Sequence, residues 1–253
     1  MKNDFLIMAG PCAVESKEQI LTIAQEVKAL GATHLRGGAF KPRTNPNSFQ
    51  GLGEEGLKYL NEAKKQTGLK IVTELMDIEH FPLFEKYSVD VIQIGSRNMQ
   101  NFELLKKLAL KKSNKAVLLK RGIAATKKEF LGAIEYLKQY GHQGEILVCE
   151  RGIRTFSNGE YDRFTLDVSF IADLKKDKSF PYRVIVDPSH PAGRKEIVSD
   201  LAYCGIAAGA DGIIIEVKNQ ENDCPKCDAE QAITLKDLKS ILNICKKIKM
   251  VLK

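Results

Sequence analysis

The sequence predicts a single α/β domain closed as a (β/α)8 TIM barrel, on three observations: eight short apolar β-type runs, helical periodicity between them, and a polar residue at the C-terminal end of each run. The runs cover residues 5–9, 33–40, 70–75, 89–94, 116–119, 145–149, 183–186 and 212–217. They are nearly continuous in apolar side chains, as expected of parallel strands buried on both faces. Between the first two, Ile20, Ile23, Ala24, Val27 and Leu30 share one face at helical spacing, and similar stretches follow each later run.

An open doubly wound sheet and a closed barrel both satisfy this alternation. The polar residues separate them. In chain order, Cys12, Arg36 with Lys41, Glu74, Arg97, Lys120, Arg151, Asp187 with His190, and Glu216 stand at or just beyond successive strand ends. An open sheet gathers its site at one switch point, whereas a barrel brings every strand end to one mouth. The length of 253 residues matches the roughly 250 that such a barrel needs, and no linker or composition break divides residues 1–253. No appended regulatory domain is expected.

Composition excludes several classes. With 43% hydrophobic and 28% charged residues the chain is globular, and no stretch is apolar enough for a membrane span. Asp4 before the first apolar run and Gly10-Pro11-Cys12 after it argue against a signal peptide, which points to the cytoplasm. Six cysteines are too sparse for a disulfide framework. The net charge of +7 comes from scattered lysine pairs without interleaved aromatics, the pattern of solvated helix ends rather than a nucleic-acid surface.

Arg36, Lys41, Arg43, Arg97, Lys120 and Arg151 make the mouth strongly basic. Guanidinium forks match carboxylate and phosphate, so the ligand should carry several negative charges. Cys12, His190, Glu216 and Asp228 supply sulfur, nitrogen and oxygen donors that suit Mn²⁺, Fe²⁺, Co²⁺ or Zn²⁺ better than Mg²⁺. A Walker-type lysine loop and the G-x-S-x-G elbow are absent from the sequence.

Seven ordered motifs carry a resemblance: Ala9-Gly10-Pro11-Cys12, the stretch from Arg36 to Thr44 ending Lys41-Pro42-Arg43-Thr44, Ile94-Gly95-Ser96-Arg97, Leu119-Lys120-Arg121-Gly122, Cys149-Glu150-Arg151-Gly152, Asp187-Pro188-Ser189-His190-Pro191 and Ile215-Glu216-Val217. The chain resembles the 3-deoxy-D-arabino-heptulosonate 7-phosphate (DAHP) synthases, in their short single-domain form related to the 3-deoxy-D-manno-octulosonate 8-phosphate synthases. The resemblance implies a transferase that condenses phosphoenolpyruvate with erythrose 4-phosphate, in the first step of the shikimate pathway to aromatic amino acids, in a homo-oligomer, dimer or tetramer. It implies that Arg36, Lys41, Arg97, Lys120 and Arg151 hold phosphoenolpyruvate near the Ser96 backbone, and that Lys41, Pro42, Arg43 and Thr44 meet the aldose phosphate. Cys12, His190, Glu216 and Asp228 would bind the metal, with Lys41, Lys120, Asp187 and His190 at the reacting atoms.

Two features depart from the family pattern. Lys218 stands where a histidine often follows the strand-eight motif, and the stretch leading to Asp228 is unusual. That stretch contains Cys224-Pro225-Lys226-Cys227, whose spacing allows a redox disulfide and suits a zinc knuckle less, since no second pair exists. The octulosonate synthase, using arabinose 5-phosphate, and a non-catalytic phosphometabolite-binding barrel are the rival readings.

Overall fold

The computed structural model describes residues 5–43, 45–156, 163–219, 225–227 and 229–252. Eight parallel strands pair in chain order: β1 (Leu6–Gly10), β2 (His34–Arg36), β3 (Lys70–Glu74), β4 (Val91–Ile94), β5 (Ala116–Lys120), β6 (Ile146–Glu150), β7 (Arg183–Val186) and β8 (Gly212–Lys218). β8 returns to β1 with Leu6 opposite Gly212 and Gly10 opposite Glu216, which closes the barrel. A two-residue strand, β9 (Ile233–Thr234), pairs onto β8 through Val217 and Lys218. Sequence patterning did not foresee it.

Helices α1 (Lys17–Ala29), α2 (Glu54–Thr67), α3 (Phe81–Lys86), α4 (Phe102–Leu110), α5 (Lys127–Gln139), α6 (Val168–Lys176), α7 (Ser189–Ala192), α8 (Val198–Ala207) and α9 (Leu235–Val251) follow the strands. The face expected of α1 is buried at Ile20, Ile23, Ala24 and Val27, while Leu30 caps the helix. Thr126 with Glu129 and Thr234 with Asp237 form reciprocal capping boxes that start α5 and α9. No helix of the described residues is long and apolar enough to cross a membrane.

The second run was expected over residues 33–40, and the strand is only His34–Arg36. Beyond Arg36 the backbone turns to the loop after β1: Gly38 N donates to Cys12 O (3.1 Å) and Val14 N donates to Gly38 O (3.0 Å). Ala39 is therefore buried in a loop rather than a ladder. Apolar content alone could not show that.

Strand parity explains how the fold positions the site. Leu6, Met8, Val72, Val91, Leu118, Leu147, Cys149, Ile185 and Ile214 fill the barrel interior, while neighbours such as Ile7, Ile71, Ile92, Val117, Val148, Val184 and Ile213 pack under the helices. Side chains alternate along a strand, so the next inward position after each interior residue falls at the C-terminal end. Those positions hold Glu74, Gln93, Lys120, Arg151, Asp187 and Glu216. The same parity turns Arg36 inward, because Leu35 belongs to the outer layer.

At the opposite end, a cavity of about 630 Å³ is lined by His34, Lys70, Asp90, Glu145 and Arg183 among others. Burial, with Lys70 next, lowers the His34 pKa from 6.5 to about 4. Between these values the unfolded chain takes up a proton that the fold refuses, so stability should fall as pH drops through the window. The full loss is about 3 kcal/mol. His34→Gln should flatten that part of a urea-midpoint curve, and parallel curves for the two proteins would remove His34 as the cause.

Candidate active site

Asp187, just past β7, is 1% exposed and anchors the centre of the mouth. Its Oδ2 accepts from Lys120 Nζ at 2.6 Å and stands 2.7 Å from His190 Nδ1. The His190 backbone N–H donates to Oδ1 at 3.2 Å, so the loop from β7 into α7 closes around the carboxylate. Burial opposes the charge of Asp187, but His190 and Lys120 outweigh it and hold the carboxyl well below the usual carboxylate range. Burial holds His190 below its ordinary value, against the pull of Asp187.

Glu216 on β8 is fully buried. Its Oε1 accepts from Arg36 Nη1 at 2.9 Å and lies 3.7 Å from His190 Nε2; its Oε2 accepts from Gln231 Nε2 at 2.7 Å. Arg36 Nη2 also donates to Cys12 O at 3.1 Å. Burial works against the Arg36 charge, yet Glu216 and Cys12 more than offset it and raise the pKa above the usual arginine value.

Cys12 is buried, and Lys41 Nζ donates to its Sγ at 3.0 Å and to its carbonyl at 3.1 Å. The Cys12 Sγ lies 3.0 Å from Cys227 Sγ, which accepts from Arg43 Nη1 at 2.8 Å. Burial again opposes the Lys41 charge, and Cys12 with Cys227 raises its pKa in spite of it. Cys227 thus faces Cys12, while Cys224, its expected redox partner, lies outside the described residues.

A cavity of about 470 Å³ opens above these residues, lined by Lys41, Arg43, Arg97, Lys120, Arg151, Arg154 and Arg163. Glu74 is the one acid among its described lining residues, and Pro42, Ser96 and His190 also line it. Arg97 Nη1 donates to Pro42 O at 3.0 Å, which ties the loop after β4 to the loop after β2. Gly152 N donates to Glu150 Oε1 at 2.7 Å, fixing the turn that presents Arg151. The Arg151 guanidinium stacks 4.3 Å over the Phe164 ring, and its buried Nη1 has no hydrogen-bond partner among the described residues.

Lys41, Pro42, Arg43, Ser96, Arg97, Lys120, Arg151 and His190 therefore share one cavity, and Asp187 supports it through Lys120 and His190. Arg36 does not line it and uses its guanidinium on Glu216 and the Cys12 carbonyl. Thr44 and Asp228 lie outside the described residues. Sequence reasoning missed Arg154, Arg163 and Gln231; the two arginines belong to the loop that Arg151 begins, which was the available signal.

Among the described residues no group of three or more His, Cys, Asp or Glu side chains that could hold a metal ion occurs. The chemistry of the nearest pair nevertheless fits one. His190 Nε2 and Glu216 Oε1 are 3.7 Å apart, and the other imidazole nitrogen rests on a carboxylate, the arrangement that orients metal-binding histidines. The Cys12 thiol beside Lys41 adds a soft donor nearby.

A closed parallel barrel with this basic mouth over a buried carboxylate, imidazole and thiol defines a barrel enzyme that handles small anionic molecules. The sequence profile of the DAHP synthetase I family matches residues 2–253. A phospho-2-dehydro-3-deoxyheptonate aldolase of Thermotoga maritima is 45% identical over 244 residues, covering 96% of this chain and 70% of the relative. A 2-dehydro-3-deoxyphosphooctonate aldolase of Fusobacterium nucleatum is 28% identical, covering 100% of this chain and 93% of that one. The crystal structure of the Thermotoga maritima DAHP synthase superposes with a TM-score of 0.90 at 43% identity, covering 99% of this chain and 71% of that one. A truncated form of the Thermotoga maritima synthase gives 0.87 at 39% identity, covering 99% and 88%. The chain belongs to the DAHP synthetase I family and is an enzyme of the DAHP synthase class.

Proposed function

We propose that the chain condenses phosphoenolpyruvate with erythrose 4-phosphate and water, giving 3-deoxy-D-arabino-heptulosonate 7-phosphate and inorganic phosphate, with a divalent metal in the site. The observation that carries this reading is the cavity of about 470 Å³ with seven cations, including the Nη1 of buried Arg151, which has no partner among the described residues. A buried donor without a partner is costly, and a carboxylate or phosphate oxygen satisfies it. One substrate brings a carboxylate and a phosphate, the other a second phosphate.

Lys120, Arg97 and Arg151 would hold phosphoenolpyruvate at the inner end, and Lys41, Pro42, Arg43 and Thr44 would receive the aldose phosphate. Cys12, His190, Glu216 and Asp228 would hold the metal, which when bound supplies Lewis-acid polarisation of the aldehyde carbonyl. The methylene carbon of phosphoenolpyruvate attacks that carbonyl, and positive charge develops at the enol-ether carbon. Water adds there, its proton leaves, and the hemiketal phosphate collapses with loss of phosphate. Lys120 Nζ, fixed on Asp187 Oδ2 at 2.6 Å, would hold a proton for the aldehyde oxygen as it becomes a hydroxyl. Lys41 Nζ, beside Cys12 Sγ at 3.0 Å, would be the second group to handle a proton.

Phosphate release, measured with phosphoenolpyruvate and each aldose phosphate, tests this directly. Activity should require erythrose 4-phosphate, vanish on chelation and return with Mn²⁺ or a similar ion, while Cys12→Ser sharply lowers metal affinity. A preference for arabinose 5-phosphate would overturn the substrate assignment. Full turnover by demonstrably metal-free protein would overturn the metal.

A further inference from the structure

Glu216 is fully buried, and its two oxygens have different surroundings. Oε1 accepts from Arg36 at 2.9 Å and faces His190 Nε2 at 3.7 Å. Oε2 accepts from the side-chain amide of Gln231 at 2.7 Å. The amide's own oxygen accepts from Arg163 Nη1 at 3.0 Å. A carboxylate can only accept and a guanidinium can only donate, so a group bridging them must present a donor to one and an acceptor to the other. Glutamine does this in one orientation.

The backbone explains why Gln231 reaches Glu216. β9 pairs Ile233 with Val217, the residue after Glu216, and this short parallel ladder pins the chain two residues beyond Gln231. Gln231 itself is 1% exposed, so a buried amide is held against a buried carboxylate by this two-residue strand. The far end of the bridge, Arg163, is exposed and lines the substrate cavity.

We propose that Gln231, anchored by Arg163, is a positioning residue that occupies Glu216 Oε2 and thereby presents Oε1 to the metal beside His190. This rests on the metal reading given above. Without the amide, Oε2 loses a donor in a place where water has little access, and the carboxylate can rotate away from His190. Partners of this kind typically change metal affinity by about ten- to a hundredfold.

The experiment measures Co²⁺ and Mn²⁺ dissociation constants of the full chain by competition with a chromogenic chelator, in wild type, Gln231→Leu, Arg163→Met, Arg163→Lys and Glu216→Gln. Gln231→Leu should weaken metal binding about tenfold or more. Excess metal should restore its turnover without changing the KM for phosphoenolpyruvate. Arg163→Met, altered only at the exposed end, should weaken metal binding less, and Arg163→Lys, which keeps a donor, should recover it. Those two variants decide the matter if Gln231→Leu does not fold. Metal affinity unchanged in folded Gln231→Leu and in Arg163→Met overturns the proposal while leaving the metal site intact, as does a turnover defect that excess metal leaves unrelieved. Wild-type protein that binds neither ion overturns both readings.

Discussion

Replacement of Lys120 by methionine is expected to cut turnover by about a hundred- to ten-thousandfold, the range associated with losing a proton-handling group. It should also lower stability by about 3–5 kcal/mol, because removing one partner of a buried pair strands the other. Lys120 and Asp187 are 4% and 1% exposed in their side chains, and their charged atoms are 2.6 Å apart. Without the ammonium, Asp187 keeps beside it only the imidazole of His190, whose burial disfavours the charged form. Adding Asp187→Asn should recover much of the stability, since no buried charge is then unmatched, and none of the turnover. Urea unfolding and phosphate release separate the two effects. Wild-type stability in the single variant would show that the pair is solvated in the free protein.

Gly10→Ala should be nearly as damaging for a steric reason. A Cβ on Gly10 would lie 1.9 Å from the Arg36 carbonyl oxygen and 2.9 Å from its carbon. The obstacle is backbone, so no rotamer change relieves it, and β1 must move away from β2. Overpacking of this sort costs about 1–3 kcal/mol and sometimes more. Cys12 follows β1 by two residues and Arg36 ends β2, so metal affinity should fall with stability as the strands separate, about tenfold or more. Gly132→Ala in α5 is the control: a Cβ there meets nothing within 4 Å, and a gain of about 0.5–1 kcal/mol is expected. Equal midpoints for Gly10→Ala and wild type would contradict the close approach.

Much of this architecture is legible in the sequence because barrel strands are buried on both faces and therefore read as unbroken apolar runs. Seven of the eight expected runs fall within two residues of the observed strands. The exception, residues 33–40, fails because loop packing and strand packing both select apolar residues, and only the backbone bonds of Gly38 distinguish them. The inward residues at the strand ends were legible for a related reason: Lys120, Asp187 and Glu216 are charged where the alternation calls for another interior position. Gln231 was not. It lies in a loop without periodicity, and its role depends on β9, too short to leave a pattern. Arg163 is likewise brought to the mouth by the return of its loop rather than by any spacing along the chain.

Among the described residues, seven cations and one acid line the cavity of about 470 Å³, so their mutual repulsion is relieved when an anion binds. An anion that binds only the folded state adds stability in proportion to the logarithm of its concentration over its dissociation constant. The melting temperature of this chain is therefore a property of the chain together with its buffer. Phosphate or sulfate should register as a folding ligand where chloride is close to a bystander. Comparisons of variants at the mouth carry meaning only at one fixed anion composition, since losing an arginine both relieves repulsion and removes a point of anion attachment.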